Sequence, residues 1–272
     1  MSLLVFGSTG QVARELARAA PAGTTFLSRA EADLSNPAAC AAAISAAEPS
    51  AVINAAAYTA VDKAESEEDL ATVINGAAPG AMARACEVLG IPFLHVSTDY
   101  VFDGTPGAAW KPDDPVAPPN AYGRSKLAGE EAVRAAGGNS AILRTSWVVS
   151  AHGNNFVKTM LRLAETRDHL TVVADQVGGP TPARGIAATL LSMADQMQAG
   201  AEGGTYHYAG TPAVSWADFA REIFAQAGKA MTVEDIPTEA YPTPAKRPLN
   251  SRMDGSSLQT DFGLRPPTGR RN

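Results

Sequence analysis

Cysteine is nearly missing from this chain: Cys40 and Cys86 are the only two in 272 residues, and they do not form a CxxC pair. That argues against a disulfide framework or a thiolate metal site and predicts two small buried thiols in a reducing compartment. Charge is sparse too, at 18% of residues, with a net −6 that offers no basic face to nucleic acid or an anionic membrane. No apolar run approaches the ~18 residues of a membrane span. The segment from Met1 to Phe6 reaches Gly7 without the cationic start of a signal peptide. A cytoplasmic location is therefore expected. The four histidines, His95, His152, His169 and His207, show no metal-ligand spacing, so each reads as structural or solvated and no metal site is expected. A Gly-x-Ser-x-Gly elbow is also missing, which disfavours a Ser-His-Asp hydrolase.

What is present points to an α/β protein. Ala-rich helical stretches alternate with short Val/Ile/Leu runs, and hydrophobic residues make up 45% of the chain. Leu3–Phe6, Thr25–Leu27, Ala51–Asn54, Phe93–Ser97 and Ala141–Arg144 read as strands buried on both faces. Helices are expected over residues 11–20, 38–47, 67–89 and 122–136. This alternation implies a doubly wound parallel sheet of the Rossmann type. Beyond Arg144 the rhythm breaks: a helix is expected from Phe156 to about Thr166, a strand near Leu170–Val173, and a loop from Asp175 to Pro182. Another helix should open at Ser215, whose hydroxyl can cap it, and four prolines keep residues 236–252 extended. The division expected is a dinucleotide-binding domain of residues 1–150 and about 175–205. A smaller C-terminal substrate-binding subdomain then takes about 151–174 and 206–272.

Gly7-Ser8-Thr9-Gly10-Gln11-Val12-Ala13 stands at the first strand-to-helix turn. Gly7 and Gly10 there, with the amides of Gln11 and Val12, let the backbone approach a pyrophosphate at a helix N-terminus, while Ala13 permits close packing. A tight turn alone would also explain the glycines. Ribose and adenine contacts are expected from Ser28, Arg29, Asp33 and Leu34. No acid stands directly at the end of the second strand to select NADH, and Ser28 with Arg29 could take a 2′-phosphate. NADPH is the expected cofactor, with NADH as the alternative, and Arg29 as a plain surface arginine is the competing reading.

Tyr122 and Lys126 are four residues apart, hence on one face of a helix beginning near Asn120. An adjacent ammonium would stabilise a phenolate and draw the tyrosine toward working pH, which makes it a general acid. Thr98 ends the fourth strand at the ligand-binding edge of such sheets, with Asp99 and Tyr100 following. The three catalytic candidates are therefore Thr98, Tyr122 and Lys126; an isolated Tyr-x-x-x-Lys would be an ordinary amphipathic pair.

Taken with GSTGQVA at 7–13, NAAAYTAVDKAESE at 54–67, STDYVFDG at 97–104, NAYGRSKLAGE at 120–130, RTSWV at 144–148, GNNFVKTML at 153–161, DQVGGPT at 175–181 and RPLNSRM at 247–253, the chain resembles the extended short-chain dehydrogenase/reductases. Within them it is most similar to the dTDP-4-dehydrorhamnose reductase family. The resemblance implies reduction of the 4-keto group of dTDP-4-dehydro-L-rhamnose by NAD(P)H, for surface polysaccharide. It puts Thr98, Tyr122 and Lys126 in the catalytic positions, and the last two also on the cofactor. Ala55, Ala56 and Ala57 would lie along the cofactor. Thr59, Val61, Asp62, Asp99, Tyr100 and Trp147 would surround the sugar nucleotide, with Arg247, Asn250 and Arg252 as its C-terminal segment. Trp147 as a core aromatic is the plain alternative. Family members carry about one more helix beyond this chain's Pro267–Asn272, and some have an interface glutamate for magnesium where Arg184 stands. A monomer or weak homodimer is the expectation. Competing functions are another nucleotide-sugar epimerase or dehydratase, and a non-catalytic protein like the regulatory subunit of methionine adenosyltransferase.

Overall fold

The computed structural model describes residues 2–266 of the chain. At its centre lie β1 (Leu3–Phe6), β2 (Thr25–Leu27), β3 (Ala51–Asn54), β4 (Phe93–Thr98) and β5 (Ser140–Thr145), joined at the edge by Gly204–His207. The order is β2-β1-β3-β4-β5-edge strand, and every pairing is parallel. The doubly wound sheet expected from the sequence is the fold found. Its run of strands reverses direction between β1 and β3, and such a switch opens a crevice at the carboxyl ends.

Alternation along each strand builds two cores. Leu3 and Val5 join α1 (Gln11–Ala19) through Leu16, and the helix Ala183–Gln198 through Ile186, Leu190 and Met193. Leu4 and Phe6 face the other way, onto Ile44 of α2 (Pro37–Ala47) and Met82 of the helix Ala78–Leu89. Cys40 and Cys86 are buried, free thiols in that second layer.

The single helix expected over 67–89 is interrupted. Glu68–Thr72 and Ala78–Leu89 flank a π turn, Val73–Ala77. The wide turn holds buried Asn75, whose Oδ1 accepts from Tyr58 N at 2.8 Å while its Nδ2 donates to Tyr58 O and Ser125 Oγ. A side chain at Gly129 of the helix Ala121–Ala136 would collide with the Asn75 carbonyl at 2.0 Å.

In the C-terminal half, His169–Val173 pairs with Thr232–Ile236, and the helices Phe156–Leu163 and Trp216–Gln226 pack on them through Met160, Leu170, Val172, Ala220 and Phe224. Ser215 caps the second helix, its Oγ accepting from Asp218 N at 3.0 Å. The loop expected over 175–182 contains two short strands, Val177–Gly178 and Thr181–Pro182, and the extended 236–252 segment contains a turn at Thr238–Ala240. Within the expected subdomain of 206–272, Tyr206 and the helix Ser256–Phe262 belong instead to the sheet core, because β5 needs a parallel neighbour to satisfy its edge. Residues 267–272, where the short C-terminus was noted, lie outside the described residues. Among the described residues, no helix is long and apolar enough to cross a membrane.

Candidate active site

A cleft of about 810 Å³ opens at the carboxyl ends of the strands, beside the switch between β1 and β3. Gly7, Gly10, Gln11 and Val12 form one wall. Gly7 has φ +103°, and a Cβ there would press on Ala56 at 3.3 Å. Among the described residues no side chain caps α1, and the space beside Gly10 is open. Uncapped first-turn amides at a glycine turn are what a pyrophosphate needs, so the turn fits a dinucleotide. Gln11 adds something unforeseen: its Oε1 accepts from Ser150 Oγ and Asn155 Nδ2, fastening the loop that carries Gly153 and Asn154 into the cleft.

Arg29, Asp33, Leu34, Ala55, Ala56 and Ala57 line the same end. Ser28 does not; its N–H and Oγ donate to Glu31 at 2.8 and 2.6 Å. An acid thus does return to the end of β2, three residues later than the position at which the sequence lacks one. These bonds from Ser28 hold Glu31 below the usual carboxylate range. Arg29 is exposed and pairs with Asp33 at 3.2 Å.

Thr98, Asp99, Tyr100, Tyr122 and Lys126 meet in the same cleft at the carboxyl end of β4. Asn120 starts the helix of Tyr122 and Lys126, its Oδ1 accepting from Gly123 N at 2.8 Å, and side-chain space at Gly123 is filled by the Tyr100 carbonyl. Those two contacts set the Tyr122 face against β4, where the ring meets Tyr100 edge-on and lines the cleft with Thr98. Thr98 Oγ1 donates to Asp99 Oδ1 at 3.0 Å. Burial pushes Tyr122 up to about 12, with Asp99 adding to it. This corrects the expectation that Lys126 lowers it. Lys126 Nζ turns away, donating to Val96 O at 2.7 Å and standing 3.2 Å from His95 Nε2. Asp99 is 2% exposed, its Oδ2 has no partner among the described residues, and burial raises it to about 6.

At the outer end, Thr59, Val61 and Trp147 line the cleft. Trp147 has φ +49° and stacks on Trp216 at 3.4 Å, so it is a cleft wall rather than a core aromatic. Asp62 and Arg247 do not line it but pair with each other at 2.7 Å. Asn250 and Arg252 also stand outside the lining. Asn250 Oδ1 accepts from Arg252 Nε at 2.9 Å, and Arg252 Nη2 donates to Gly107 O. Gln176, Trp216 and Ser251 enter the cleft without having been singled out. Gln176, Asn154 and Ser251 sit inside quoted motifs, the available signal; Trp216 had none.

The family model described as the RmlD substrate binding domain matches residues 1–272. The chain belongs to this family. A dTDP-4-dehydrorhamnose reductase of Burkholderia thailandensis is 46% identical over 285 residues, covering 99% of this chain and 96% of that protein. A crystal structure of such a reductase from Clostridium acetobutylicum is similar at a TM-score of 0.90 and 38% identity, over 98% of this chain and 95% of that one. The Bacillus anthracis reductase, crystallised in complex with NADP, gives 0.89 at 35% identity, over 97% and 94%. At these identities the family's fold is shared along nearly the whole chain.

Proposed function

We propose that this chain reduces the 4-keto group of dTDP-4-dehydro-L-rhamnose to give dTDP-L-rhamnose, with NADPH as reductant, supplying the sugar donor for surface polysaccharide. The observation that carries this is that Thr98 at the end of β4, Tyr122 and Lys126 line one cleft with the glycine turn, in a chain whose relatives are dTDP-4-dehydrorhamnose reductases. When bound, NADPH supplies the hydride to the sugar carbonyl carbon. Tyr122, protonated at neutral pH by its raised pKa of about 12, gives its proton to the carbonyl oxygen. Thr98 holds that oxygen in place, and the free Oδ2 of Asp99 accepts from a sugar hydroxyl. The stacked Trp147 and Trp216 offer an apolar wall to the deoxysugar ring. Arg29 takes the 2′-phosphate by exchanging it for Asp33, an exposed pair of low cost to break. Arg247 and Arg252 reach the diphosphate by leaving Asp62 and Gly107.

The functional division follows: the sheet and its first turn hold the dinucleotide, and the 151–174 and 208–255 segments hold the sugar nucleotide. The enzyme works in the cytoplasm, in keeping with its two buried free thiols. It acts as a monomer or weak homodimer without divalent metal, since exposed Arg184 carries the wrong charge for a carboxylate magnesium site. Mass in solution with and without magnesium, and turnover after chelation, test that part.

The deciding experiment mixes the protein with NADPH and dTDP-4-dehydro-L-rhamnose and follows the reduced nicotinamide. Turnover is expected, and Tyr122→Phe should lower it by about 10² to 10⁴-fold with cofactor binding intact. No turnover, together with NAD retained stoichiometrically on purification, would instead favour an epimerase or dehydratase.

A further inference from the structure

Beneath the cleft runs a buried chain of polar groups that the reaction as described does not use. Asn54 and His95 are register partners on β3 and β4, both fully buried, and Lys126 is 2% exposed. Asn54 Oδ1 accepts from Ala56 N at 3.1 Å. Its amide nitrogen therefore faces His95 Nδ1, at 3.2 Å. An amide nitrogen can only donate, so Nδ1 must be bare. Burial, with Lys126 adding to it, holds His95 well below its ordinary pKa, so the ring is neutral. Its one hydrogen then sits on Nε2 and points at Lys126 Nζ. An ammonium there would set N–H against N–H. An amine would instead accept from Nε2 and still donate to Val96 O.

We propose that His95 is a positioning residue that keeps Lys126 ready to lose a proton, because the Asn54–His95 pair presents a donor where an ammonium needs an acceptor. This rests on reading Tyr122 as the proton source. After Tyr122 has given its proton to the substrate oxygen, Lys126, one helical turn away, swings Nζ from Val96 O toward the phenolate and gives it a proton. Lys126 is left as the amine, bonded by His95 Nε2–H, and regains its proton from solvent. The reaction thus consumes one solvent proton per hydride.

The charges around Lys126 fit such a role. Burial lowers Lys126 to about 8, opposed by Glu130 on the same helix. Glu130 is already engaged by Arg144, Arg134 and Ser97 Oγ. Asp99 on the β4 side bears on Tyr122, and β3 contributes only the uncharged Asn54.

The test is the pH profile of kcat for the NADPH-saturated enzyme and its His95→Gln variant. A glutamine can turn its carbonyl oxygen to Lys126 and stabilise the ammonium. The wild-type basic limb is expected near 8, and in His95→Gln it should move up by roughly one pH unit or more, with the KM for NADPH unchanged. An unmoved limb in the folded variant would overturn the proposal. Should the variant not fold, nitrogen-15 NMR of the wild-type imidazoles decides: His95 should stay neutral with its hydrogen on Nε2 from about pH 6 to 9. An Nδ1–H form or an imidazolium in that range would refute it. These outcomes differ from failure of Tyr122 as the proton source, which shows as normal turnover in Tyr122→Phe, and from failure of the reductase reading, which shows as no turnover in the wild type.

Discussion

Arg144 and Glu130 face each other as a fully buried, two-pronged ion pair, with Nε and Nη2 donating to the two carboxylate oxygens at 2.9 and 2.7 Å. Arg144 comes from β5 and Glu130 from the Tyr122 helix, so the pair locks the catalytic helix to the sheet. Removing one partner leaves the other charge buried and unpaired. Glu130→Gln should destabilise the fold by about 3 to 5 kcal/mol, read from denaturant unfolding. A loss below about 1 kcal/mol would show that water reaches the pair.

The same pair gives stability a pH dependence. Burial raises Glu130, but Arg144, Ser97 and Arg134 outweigh it and the net shift is downward. A depressed carboxylate contributes stability above its unfolded pKa of about 4.3 and loses it as pH falls further. Unfolding midpoints should drop with acid below about pH 4 in the wild type, and less steeply in Glu130→Gln.

Asp99 sets a second, functional limb. With burial raising it to about 6, kcat/KM should fall as pH drops below about 6, where the carboxylate takes a proton and no longer accepts from Thr98 or a sugar hydroxyl. Asp99→Asn should flatten that limb. Its persistence in the variant would assign it to another group.

Cofactor preference is expected to follow Arg29. Arg29→Ala should raise the KM for NADPH by roughly three- to tenfold, a charge-assisted hydrogen bond weakened by exposure, and leave that for NADH unchanged. Equal changes for both cofactors would remove Arg29 from the 2′-phosphate site.

Gly178 makes room for the Trp147 indole: a Cβ there would sit 2.6 Å from the ring. Gly178→Ala should push Trp147 off Trp216, shift tryptophan emission, and lower kcat/KM by about tenfold. Unchanged emission and kinetics would mean that the stack yields without cost.

The sheet is legible in the sequence because β1, β3, β4 and β5 are short apolar runs buried on both faces, so each stands out without knowledge of its neighbours. The edge strand, Gly-Thr-Tyr-His, has no such run and exists because β5 needs a partner. Gly7, Thr98, Tyr122 and Lys126 are found for a similar reason: spacing along one turn or one strand end already defines the geometry. Trp216 escapes because only the folding of the C-terminal half over the strand ends brings it to the cleft. Glu31 escapes because the chain curls back on Ser28. The acidity of Tyr122 is misjudged because spacing to Lys126 says nothing of where Nζ points, and it points at Val96 O.

The late arrival of that edge strand also matters while the chain is being made. Ala141 and Leu143 pair with residues 204 and 206, so a ribosome that has released everything through β5 still holds a nascent sheet with a bare parallel edge for some sixty more residues. During that interval the edge is open to another nascent chain or to a chaperone. Arg144 and Glu130 can already meet, while His207, which pairs with Arg144 in register, closes the sheet only once it emerges.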